Sequence, residues 1–388
     1  MPWETVSLME AKKRLVELVH RQVMTMSEAC SQFGVTPKTG YKWLKRFESG
    51  GLPGLEELSR APKRSPQAWP DETRQAVLEL KLERPTWGPK KLVAVLAGRG
   101  LEMPAVSTAG EWLREANLVT PTSRPPPQAK PTRLTLATRP NQVWCYDFKG
   151  QFKLGDGSFC FPLTITDDFS RMLLGCFSLS STSISATQPC MEELFRAYGL
   201  PEFLRSDNGE PFSSIGLAGL TTMNVSWLKQ GIVLERTRPA SPQDNGRHER
   251  MHRTLKAETT RPPAHNHSAQ QRRFDTWRLD FNTVRPHEAL DMNVPKSRYE
   301  PSSRSFKEGP ITVAYPGHFE VRHVRNRGHI KLGGRDVYLS EALIGEPVGL
   351  VEVDDGIWQV RFMADVICGI DMRGKKPRLI GHSRPLTA

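Results

Sequence analysis

The chain has 388 residues, of which 38% are hydrophobic, and this length allows about two to four domains. It contains no apolar run of about 18 residues and no basic start followed by an apolar stretch, so we expect neither a membrane span nor a secretory signal. The 54 lysines and arginines outnumber the 42 aspartates and glutamates, and the resulting net charge of +12 favours a polyanionic partner, above all nucleic acid.

The positive charge is concentrated in the two ends of the chain. Residues 1–140 carry 22 basic and 14 acidic side chains, and residues 301–388 carry 13 and 10. Residues 141–300 are nearly balanced, with 19 basic and 18 acidic side chains. This distribution suggests binding segments at both ends and a centre that bears carboxylates.

The cysteines are widely spaced and include no C-x-x-C pair. Such spacing argues against a thiolate zinc site and against a disulfide framework, and it fits the reducing cytosol. We therefore expect a cytoplasmic protein in which the cysteines pack as small side chains; they are Cys30, Cys145, Cys160, Cys176, Cys190 and Cys368.

Residues 1–60 are expected to form a helix-turn-helix domain that binds DNA. Thr25 and Glu28 have the spacing of a capping box, and Thr36-Pro37 provides an N-cap followed by proline at the first position of the next helix. A turn between these helices completes the helix-turn-helix order. The alternative is a small bundle with a solvated basic face. The predicted DNA contacts are Lys38, Lys42, Lys45 and Arg46.

Residues 61–119 are expected to form a second, helix-turn-helix-like domain. Its helical pattern breaks at Pro85 and resumes a few residues later. Thr108 and Glu111 have the spacing of another capping box. The predicted DNA contacts in this domain are Lys90 and Lys91.

A linker rich in proline and basic residues, at 120–140, precedes an α/β core at 141–305. In the core, three strands, a helix, a strand, a helix, a strand and a long helix follow one another. Residues 306–388 are expected to form a small β-barrel that binds DNA, because six short apolar runs alternate there with glycine-bearing turns. The predicted DNA contacts of the barrel are Arg322, Arg325 and Arg327.

Three carboxylates of the core occupy positions that packing alone does not explain. Asp147 lies in an apolar and aromatic strand, where an unpaired charge is costly. Asp207 follows a strand at an Asn-Gly turn, and Glu249 lies near the start of the last core helix. Carboxylates that converge at one sheet edge repel one another unless cations neutralise them, so they predict a hard-metal site. Two such ions about 4 Å apart would activate a nucleophile and stabilise the leaving oxygen of a phosphodiester.

Each acid taken singly has a structural alternative. Asp207 would cap its turn, Glu249 would pair with Arg253, and Asp147 would end its strand. The helix that follows favours the functional interpretation, because one face carries an acid, an imidazole and a cation and the helix has little apolar surface. Its predicted DNA contacts are Asn245, Arg247, Arg250, His252, Arg253 and Lys256.

The core contains three motifs in order: Ser206-Asp207-Asn208-Gly209; Pro242-Gln243 followed by Asn245-Gly246; and Glu249-Arg250 with Lys256 seven residues after the glutamate. In this combination the chain resembles the DDE transposase and retroviral-type integrase superfamily, and most of all bacterial insertion-sequence transposases. Asp147 supplies the first acid, and the segment 167–171 resembles the next strand of those cores.

The resemblance implies an RNase H-like core and a polynucleotidyl transferase in which Asp147, Asp207 and Glu249 are catalytic and bind two Mg²⁺ ions, for which Mn²⁺ can substitute. A water would attack a phosphodiester at the element's end, and the freed 3′-hydroxyl would then attack target DNA, with Lys256 on the terminal backbone. The implied partners are double-stranded DNA, at terminal inverted repeats and target, and other copies of the chain, at least as a dimer. Neither a nucleotide cofactor nor a membrane is implied, and the expected location is the bacterial cytoplasm, at the nucleoid.

The chain departs from the family in one interval, because 41 residues separate Asp207 from Glu249, more than is usual. We interpret the excess, Ile215–Trp227, as an insertion at a flexible edge open to the target. Asp167 and Asp168 are expected to serve turn and strand-pairing roles rather than catalysis.

Two other functions remain as alternatives. The segment 248–252 matches the H-E-x-x-H zinc motif, although the neighbouring arginines disfavour a cation and the motif gives Asp147 and Asp207 no purpose. A non-catalytic, DNA-binding descendant is the second alternative, and the presence of all three acids counts against it. No P-loop, G-x-S-x-G or G-x-G-x-x-G motif occurs, so NTPase, serine hydrolase and dinucleotide-dependent functions are not expected.

Overall fold

The structure is a computed structural model that describes residues 7–57, 69–119, 134–207, 209–214, 216–238 and 242–381. The chain divides into two compact units, residues 1–68 and 69–388. Most of the predicted 120–140 linker lies outside the described residues, as do Asn208 of the second motif and Ile215 of the predicted insertion.

The first unit contains three helices that begin where the sequence places their caps. They are α1 (Leu8–His20), α2 (Met26–Gln32) and α3 (Pro37–Gly50). The predicted capping box is confirmed, because Thr25 accepts from the backbone of Glu28 while the Glu28 side chain accepts from the backbone of Thr25. The helices enclose a core of Leu15, Val16, Met26, Cys30, Trp43 and Leu55, so the predicted helix-turn-helix arrangement is confirmed.

The second unit begins with three more helices, α4 (Asp71–Glu83), α5 (Pro89–Gly98) and α6 (Val106–Glu115). The capping box predicted for Thr108 and Glu111 is wrong. Helix α6 begins two residues earlier, at Val106, so both residues lie inside it, and its N-cap Ala105 has no side-chain acceptor. The three helices pack around a core of their own: Val77, Leu80, Trp87, Leu92, Leu96, Ala109 and Leu113.

The α/β core is built on one sheet of six strands. They are β1 (Val143–Phe148), β2 (Phe152–Lys153), β3 (Phe159–Asp167), β4 (Leu173–Leu179), β5 (Phe203–Ser206) and β6 (Val233–Arg236). β1 lies at the centre, antiparallel to β3 and parallel to β5, while β4 pairs with β3 and β6 with β5. This order of strands is that of an RNase H-like core, as expected.

Four helices cover the sheet: α7 (Ile184–Tyr198), α8 (Thr222–Lys229), α9 (Gly246–Thr259) and α10 (His267–Thr283). Helix α8 includes residues 222–227, about half of the segment that we interpreted as an insertion at a flexible edge, and the expected flexibility is wrong. Five of its eight residues are buried, and the Trp227 ring packs edge-on against Tyr146 at 5.5 Å and against Phe195 at 6.2 Å. The segment is therefore part of the core rather than a mobile edge.

The C-terminal region contains β7 (Glu320–His323), β8 (His329–Leu332), β9 (Arg335–Tyr338), β10 (Pro347–Asp354), β11 (Ile357–Phe362), β12 (Asp365–Asp371) and β13 (Arg378–Ile380). Five of them form an antiparallel sheet in the order β13-β12-β11-β10-β7, and β8 and β9 form a separate hairpin. Over the described residues these sheets do not close, so the predicted barrel is not confirmed. Residues 311–315, one of the six apolar runs that we interpret as strands, are irregular, whereas β12 and β13 do not correspond to any of those runs.

None of the helices in the described part of the chain has both the length and the apolar character that a bilayer crossing demands.

Candidate active site at the edge of the core sheet

The strand register brings two of the predicted acids side by side. β1 and β5 run parallel, with Cys145 opposite Arg205. Two residues further along each chain, the same register brings Asp147 level with Asp207. Because neighbouring strands lie about 4.8 Å apart, both carboxylates belong to one edge of the sheet.

The turn after β5 holds the Asp207 side chain close to the backbone. The N–H of Gly209 donates to Oδ1 of Asp207 at 3.0 Å. A Cβ at Gly209 would lie 3.2 Å and 3.3 Å from the two carboxylate oxygens, closer than nearly all real contacts of a Cβ. A side chain at this position would therefore require the Asp207 carboxylate, which is exposed to solvent, to shift by a few tenths of an ångström.

Helix α9 presents Glu249 beside these acids because its opposite face is anchored in the core. The buried face consists of His248, Met251, His252, Leu255 and Thr259. The expectation that this helix has little apolar surface is therefore wrong, since two aliphatic and two neutral imidazole side chains pack against the sheet. Glu249 lies on the exposed side of the first turn.

A threonine on β3 joins α9 to the first acid. Thr164 lies opposite Asp147 in the antiparallel register, and its hydroxyl donates to the Asp147 carbonyl oxygen at 3.2 Å. The same Oγ1 lies 2.8 Å from Nε2 of His248 and 2.6 Å from Nε2 of His252. With its one hydrogen given to the carbonyl, the hydroxyl accepts from both imidazoles, so both carry their hydrogen on Nε2. The unprotonated Nδ1 of His252 then faces Oδ2 of Asp147 at 3.8 Å.

The electrostatics of Asp147 show that the other two acids lie near enough to act on it. Burial, followed by the charges of Asp207 and Glu249, raises the pKa of Asp147 from 3.8 to about 7. The Asp147 side chain is 17% exposed, whereas Asp207 and Glu249 lie in solvent. A buried carboxylate with two further acids near it and the imidazole of His252 beside it offers oxygen ligands of the kind that a hard divalent cation prefers.

The two histidines of the H-E-x-x-H segment are buried and neutral. They are 2% and 1% exposed, and burial lowers the pKa of His248 to about 3 and that of His252 further still. Asp147, His248 and His252 each offer a ligand atom within 4.8 Å of the others. Both Nε2 atoms, however, are hydrogen-bonded to Thr164, and Nδ1 of His248 lies 2.8 Å from the Thr166 hydroxyl. These bonds make the imidazoles supports for the sheet edge. They occupy both nitrogens of His248 and one of His252, which disfavours the zinc-hydrolase alternative.

Asp167 and Asp168 have the structural roles that the sequence predicts. Asp167 is fully buried and accepts from the backbone N–H groups of Asn141 and Ser170 and from the Ser170 hydroxyl. Asp168 pairs with Arg247 at 2.8 Å, and more loosely with Arg171 and Arg205. Their carboxylates are thus occupied by the protein itself.

The predicted DNA contacts of α9 do not share one environment. His252 is buried against Thr164, so its prediction as a DNA contact is wrong: a side chain that packs under the helix cannot face a groove. Asn245 is half-buried and Arg247 is held by Asp168. Arg250, Arg253 and Lys256 are exposed. For these residues DNA contact stays a prediction.

Outside α9, the other predicted DNA contacts also differ in exposure. Lys38, Lys42 and Lys45 are exposed and Arg46 is half-buried. Lys90 is exposed but pairs with Glu288, and Lys91 is half-buried. Arg325 and Arg327 are exposed, while Arg322 pairs with Glu320 on its own strand.

Sequence reasoning missed Thr164, and it missed the helix that supports α9. Phe274, Trp277 and Phe281 of α10 are buried at the i, i+3, i+7 spacing of an amphipathic helix, which was a usable signal. Trp277 donates through Nε1 to Glu258 of α9 at 2.6 Å. A threonine in a strand carries no comparable signal, because its partners come from a distant helix.

Comparison with known families agrees with this architecture. Residues 11–63 match a helix-turn-helix domain and residues 39–113 a homeodomain-like domain. Residues 137–242 and 230–295 match integrase core domains. Residues 319–378 match the C-terminal domain of IS481 family transposases.

The individual relatives have low sequence identity to this chain. The Gag-Pol polyprotein of koala retrovirus is 26% identical over 207 residues, which are 53% of this chain and 12% of that protein. An uncharacterised protein of insertion element IS407 from Burkholderia multivorans is 26% identical over 179 residues, which are 46% of this chain and 62% of that protein. The chain thus spans less than two thirds of either relative.

Among solved structures, the trimeric form of the HTLV-2 integrase catalytic core domain in complex with magnesium matches 42% of this chain and 100% of its own, with 13% identity and a TM-score of 0.34. The family matches, taken with the order of strands and helices, lead to one assignment. The chain contains an integrase core and a C-terminal domain of the IS481 transposase type, and it is thus similar to DDE transposases and retroviral-type integrases, in particular those of insertion sequences.

Proposed function

We propose that this chain is a DNA transposase that binds the terminal repeats of a mobile element, cleaves a phosphodiester bond at each end and joins the freed end to target DNA. The observation that carries the proposal is the convergence of three acids, since Asp207 and Glu249 both raise the pKa of Asp147. A protein that only binds DNA gains nothing from a carboxylate cluster facing a polyanion. The helix-turn-helix and integrase core matches support the same proposal.

Asp147, Asp207 and Glu249 would hold divalent cations, Mg²⁺ or Mn²⁺, through their carboxylate oxygens. When bound, such ions supply Lewis-acid activation of the attacking oxygen and stabilise the charge on the leaving oxygen. The chain's own residues keep the acids in place. Thr164 fixes the backbone at Asp147, the N–H of Gly209 donates to the Asp207 carboxylate, and the buried face of α9 packs in the core with Glu249 on its exposed side.

The reaction has two steps that need no nucleotide cofactor. In the first, a water oxygen forms a bond to phosphorus at the element's end, and the bond from phosphorus to the 3′-oxygen breaks, which leaves a 3′-hydroxyl. In the second, that 3′-oxygen attacks a target phosphodiester and displaces another 3′-oxygen. One phosphodiester replaces another, so no ATP is required. Joining both ends of an element requires two active sites, and we therefore propose that the chain acts at least as a dimer.

The substitution Asp207→Asn tests the proposal, with Glu210→Gln as its matched control. Glu210 is exposed, lies three residues further along and makes no ion pair with any described residue, so its substitution removes the same charge from the same surface. The full-length Asp207→Asn chain would first capture genomic fragments, whose sequences give the repeat. Duplexes carrying that repeat are then incubated with each variant and Mg²⁺.

We expect the wild type and Glu210→Gln to nick and join these duplexes, and Asp207→Asn to bind them without cleavage. The loss should exceed a hundredfold, since the variant removes a group that acts in the transition state. Equal cleavage by Asp207→Asn would refute the enzymatic function. Binding without Mg²⁺-dependent cleavage by the wild type would favour the non-catalytic alternative.

A further inference from the structure

A cavity of about 670 Å³ lies along one face of α9, between that helix and the helical unit α4–α6. Arg250, Thr254 and Ala257 line it at the i, i+4, i+7 spacing of one helix face. Thr86 and Lys91 contribute from the helical unit. The remaining walls come from the loop after β3 and from the segment that follows α10. Glu249 is not among the lining residues, so the cavity is separate from the three acids.

The lining carries more positive than negative charge. Its cations are Lys91, Arg171, Arg247, Arg250, Arg253 and Arg285, and its acids are Asp167, Asp168 and Glu288. The acids are already occupied: Asp168 pairs with Arg247, Glu288 pairs with Lys90 outside the cavity, and Asp167 accepts three hydrogen bonds. Lys91, Arg250 and Arg253 make no ion pair with any described residue. Three cations therefore face this space without an ion-pair partner among the described residues.

Two buried nitrogen atoms of the lining also have no hydrogen-bond partner among the described residues. They are Nη1 of Arg171 and Nε2 of His287. Burial and the charges of Lys91, Arg285 and Arg171 lower the pKa of His287 to about 3, which places its ring among three cations. An unsatisfied arginine donor and clustered cations are costly in a folded protein unless an anion supplies acceptor oxygens.

The two walls of the cavity are held together by contacts that do not involve its free cations. Arg84 donates to both oxygens of Asp280 on α10, at 3.0 Å and 2.7 Å. Thr86 donates to Glu258 of α9, and Arg285 pairs with the same carboxylate at 2.8 Å. The Trp87 ring is buried beside the guanidinium groups of Arg84 and Arg285. Lys91 is thus held facing the arginines of the core by the fold itself.

We propose that this cavity binds phosphodiester groups of DNA, with Lys91 of the helical unit and Arg250 and Arg253 of the core as its contacts. The inference rests on the proposed function. It adds that the helical unit and the core would bind the same DNA molecule at one shared site. Phosphate is the expected anion, since several cations on neighbouring elements match a polyanion that passes along α9.

The test is the substitution Lys91→Met in the full-length chain, with Arg99→Met as its control. Lys91 has no ion-pair partner to lose, and the repulsion from Arg285 is relieved, so the variant should fold. Arg99 caps the far end of α5, is exposed and does not line the cavity. The probe is a fluorescein-labelled 30-base-pair duplex of arbitrary sequence, titrated by anisotropy over a series of salt concentrations.

We expect Lys91→Met to raise Kd about three- to tenfold and to lower the slope of log Kd against log salt by about 0.9, the value for one phosphate contact. Arg99→Met should leave both unchanged. An unchanged Kd and slope for Lys91→Met, or equal losses for both variants, would overturn the proposal.

A footprint on the wild-type chain gives a second measurement that does not depend on a variant. Burial and Arg285 lower the pKa of Lys91 to about 8, so a larger fraction of its amine is free to react with an acetylating reagent. Saturating duplex should protect Lys91 at least threefold relative to the exposed Lys307, and equal acetylation with and without DNA would contradict the proposal. Both readouts measure binding. A wild type that binds DNA but does not cleave it would contradict only the proposed function. A wild type that cleaves DNA, with no effect of Lys91→Met on binding and no protection of Lys91, would contradict only the proposal for the cavity.

Discussion

Asp147 holds its carboxyl group where burial and two neighbouring acids oppose ionisation. Its folded pKa of about 7 lies above its ordinary value of 3.8, so the folded chain binds a proton more tightly than the unfolded chain between these limits. By linkage, the free energy of unfolding should fall as pH rises from about 4 to 7 and should level off above the folded pKa. Deprotonated Asp147 therefore destabilises the folded chain through burial and charge repulsion, and a bound divalent cation would reduce this destabilisation.

The substitution Asp147→Asn should remove this destabilisation, because it removes the buried negative charge. In buffer with EDTA at pH 8 we expect the variant to be more stable than the wild type by at most about 4 kcal/mol, since the pKa is raised by about three units and each unit corresponds to about 1.4 kcal/mol. The difference should shrink as the pH is lowered towards 4. Urea unfolding at several pH values measures it, and Mg²⁺ at pH 8 should stabilise the wild type alone. A variant that is less stable than the wild type at pH 8 would contradict this account.

Among the secondary-structure elements, features encoded by neighbouring residues were predicted correctly, whereas contacts between residues far apart in the sequence were not. The strand Val143–Phe148 follows from its run of apolar and aromatic residues, and the starts of α2 and α3 follow from their caps. The register of β1 and β5 agrees with the prediction that Asp147 and Asp207 lie at one edge of the sheet. His252 was misassigned because an imidazole on a charged helix looks exposed until Thr164 of β3 is placed beneath it.

The helical unit α4–α6 illustrates the same limit. Its helices are visible in the sequence, but its attachment to the core depends on pairs about two hundred positions apart, such as Arg84 with Asp280. The prediction of a closed C-terminal barrel was not confirmed, for a related reason. Short alternating runs predict strands, whereas the pairing of the edge strands β7 and β13 is a property of the whole sheet.

A double-mutant cycle on Arg84 and Asp280 should measure this attachment. The pair is bidentate and only 36% and 21% exposed, so we expect a coupling free energy of about 1 kcal/mol in urea unfolding. Arg74 and Glu115 provide the comparison, because they form a single contact within the helical unit and are 43% and 59% exposed. Their coupling should stay below about 0.5 kcal/mol. Equal couplings for the two pairs would mean that the Arg84–Asp280 contact does not fix the unit to the core.

Over the whole chain, the positive charge that attracts DNA and the carboxylates proposed for catalysis lie in different segments. The two ends hold nearly all of the net positive charge, and the core between them is close to neutral because it needs its carboxylates. Attraction to DNA must then come mainly from cations that have no acidic neighbour. Lys38 and Lys42 of α3 are exposed and make no ion pair with any described residue, while Arg74 and Arg114 pair with Glu115 and Glu111.

This division predicts an unequal salt response for two variants that lose the same charge. In the full-length chain, Lys38→Gln with Lys42→Gln should lower the slope of log Kd against log salt by about 1.8, because each phosphate contact contributes about 0.9. Arg74→Gln with Arg114→Gln should change the slope by less than half of that, since each arginine already neutralises a carboxylate. Anisotropy titrations of one duplex between 50 and 200 mM salt measure both. Equal slopes for the two variants would show that net charge, rather than its placement on α3, governs the affinity for DNA.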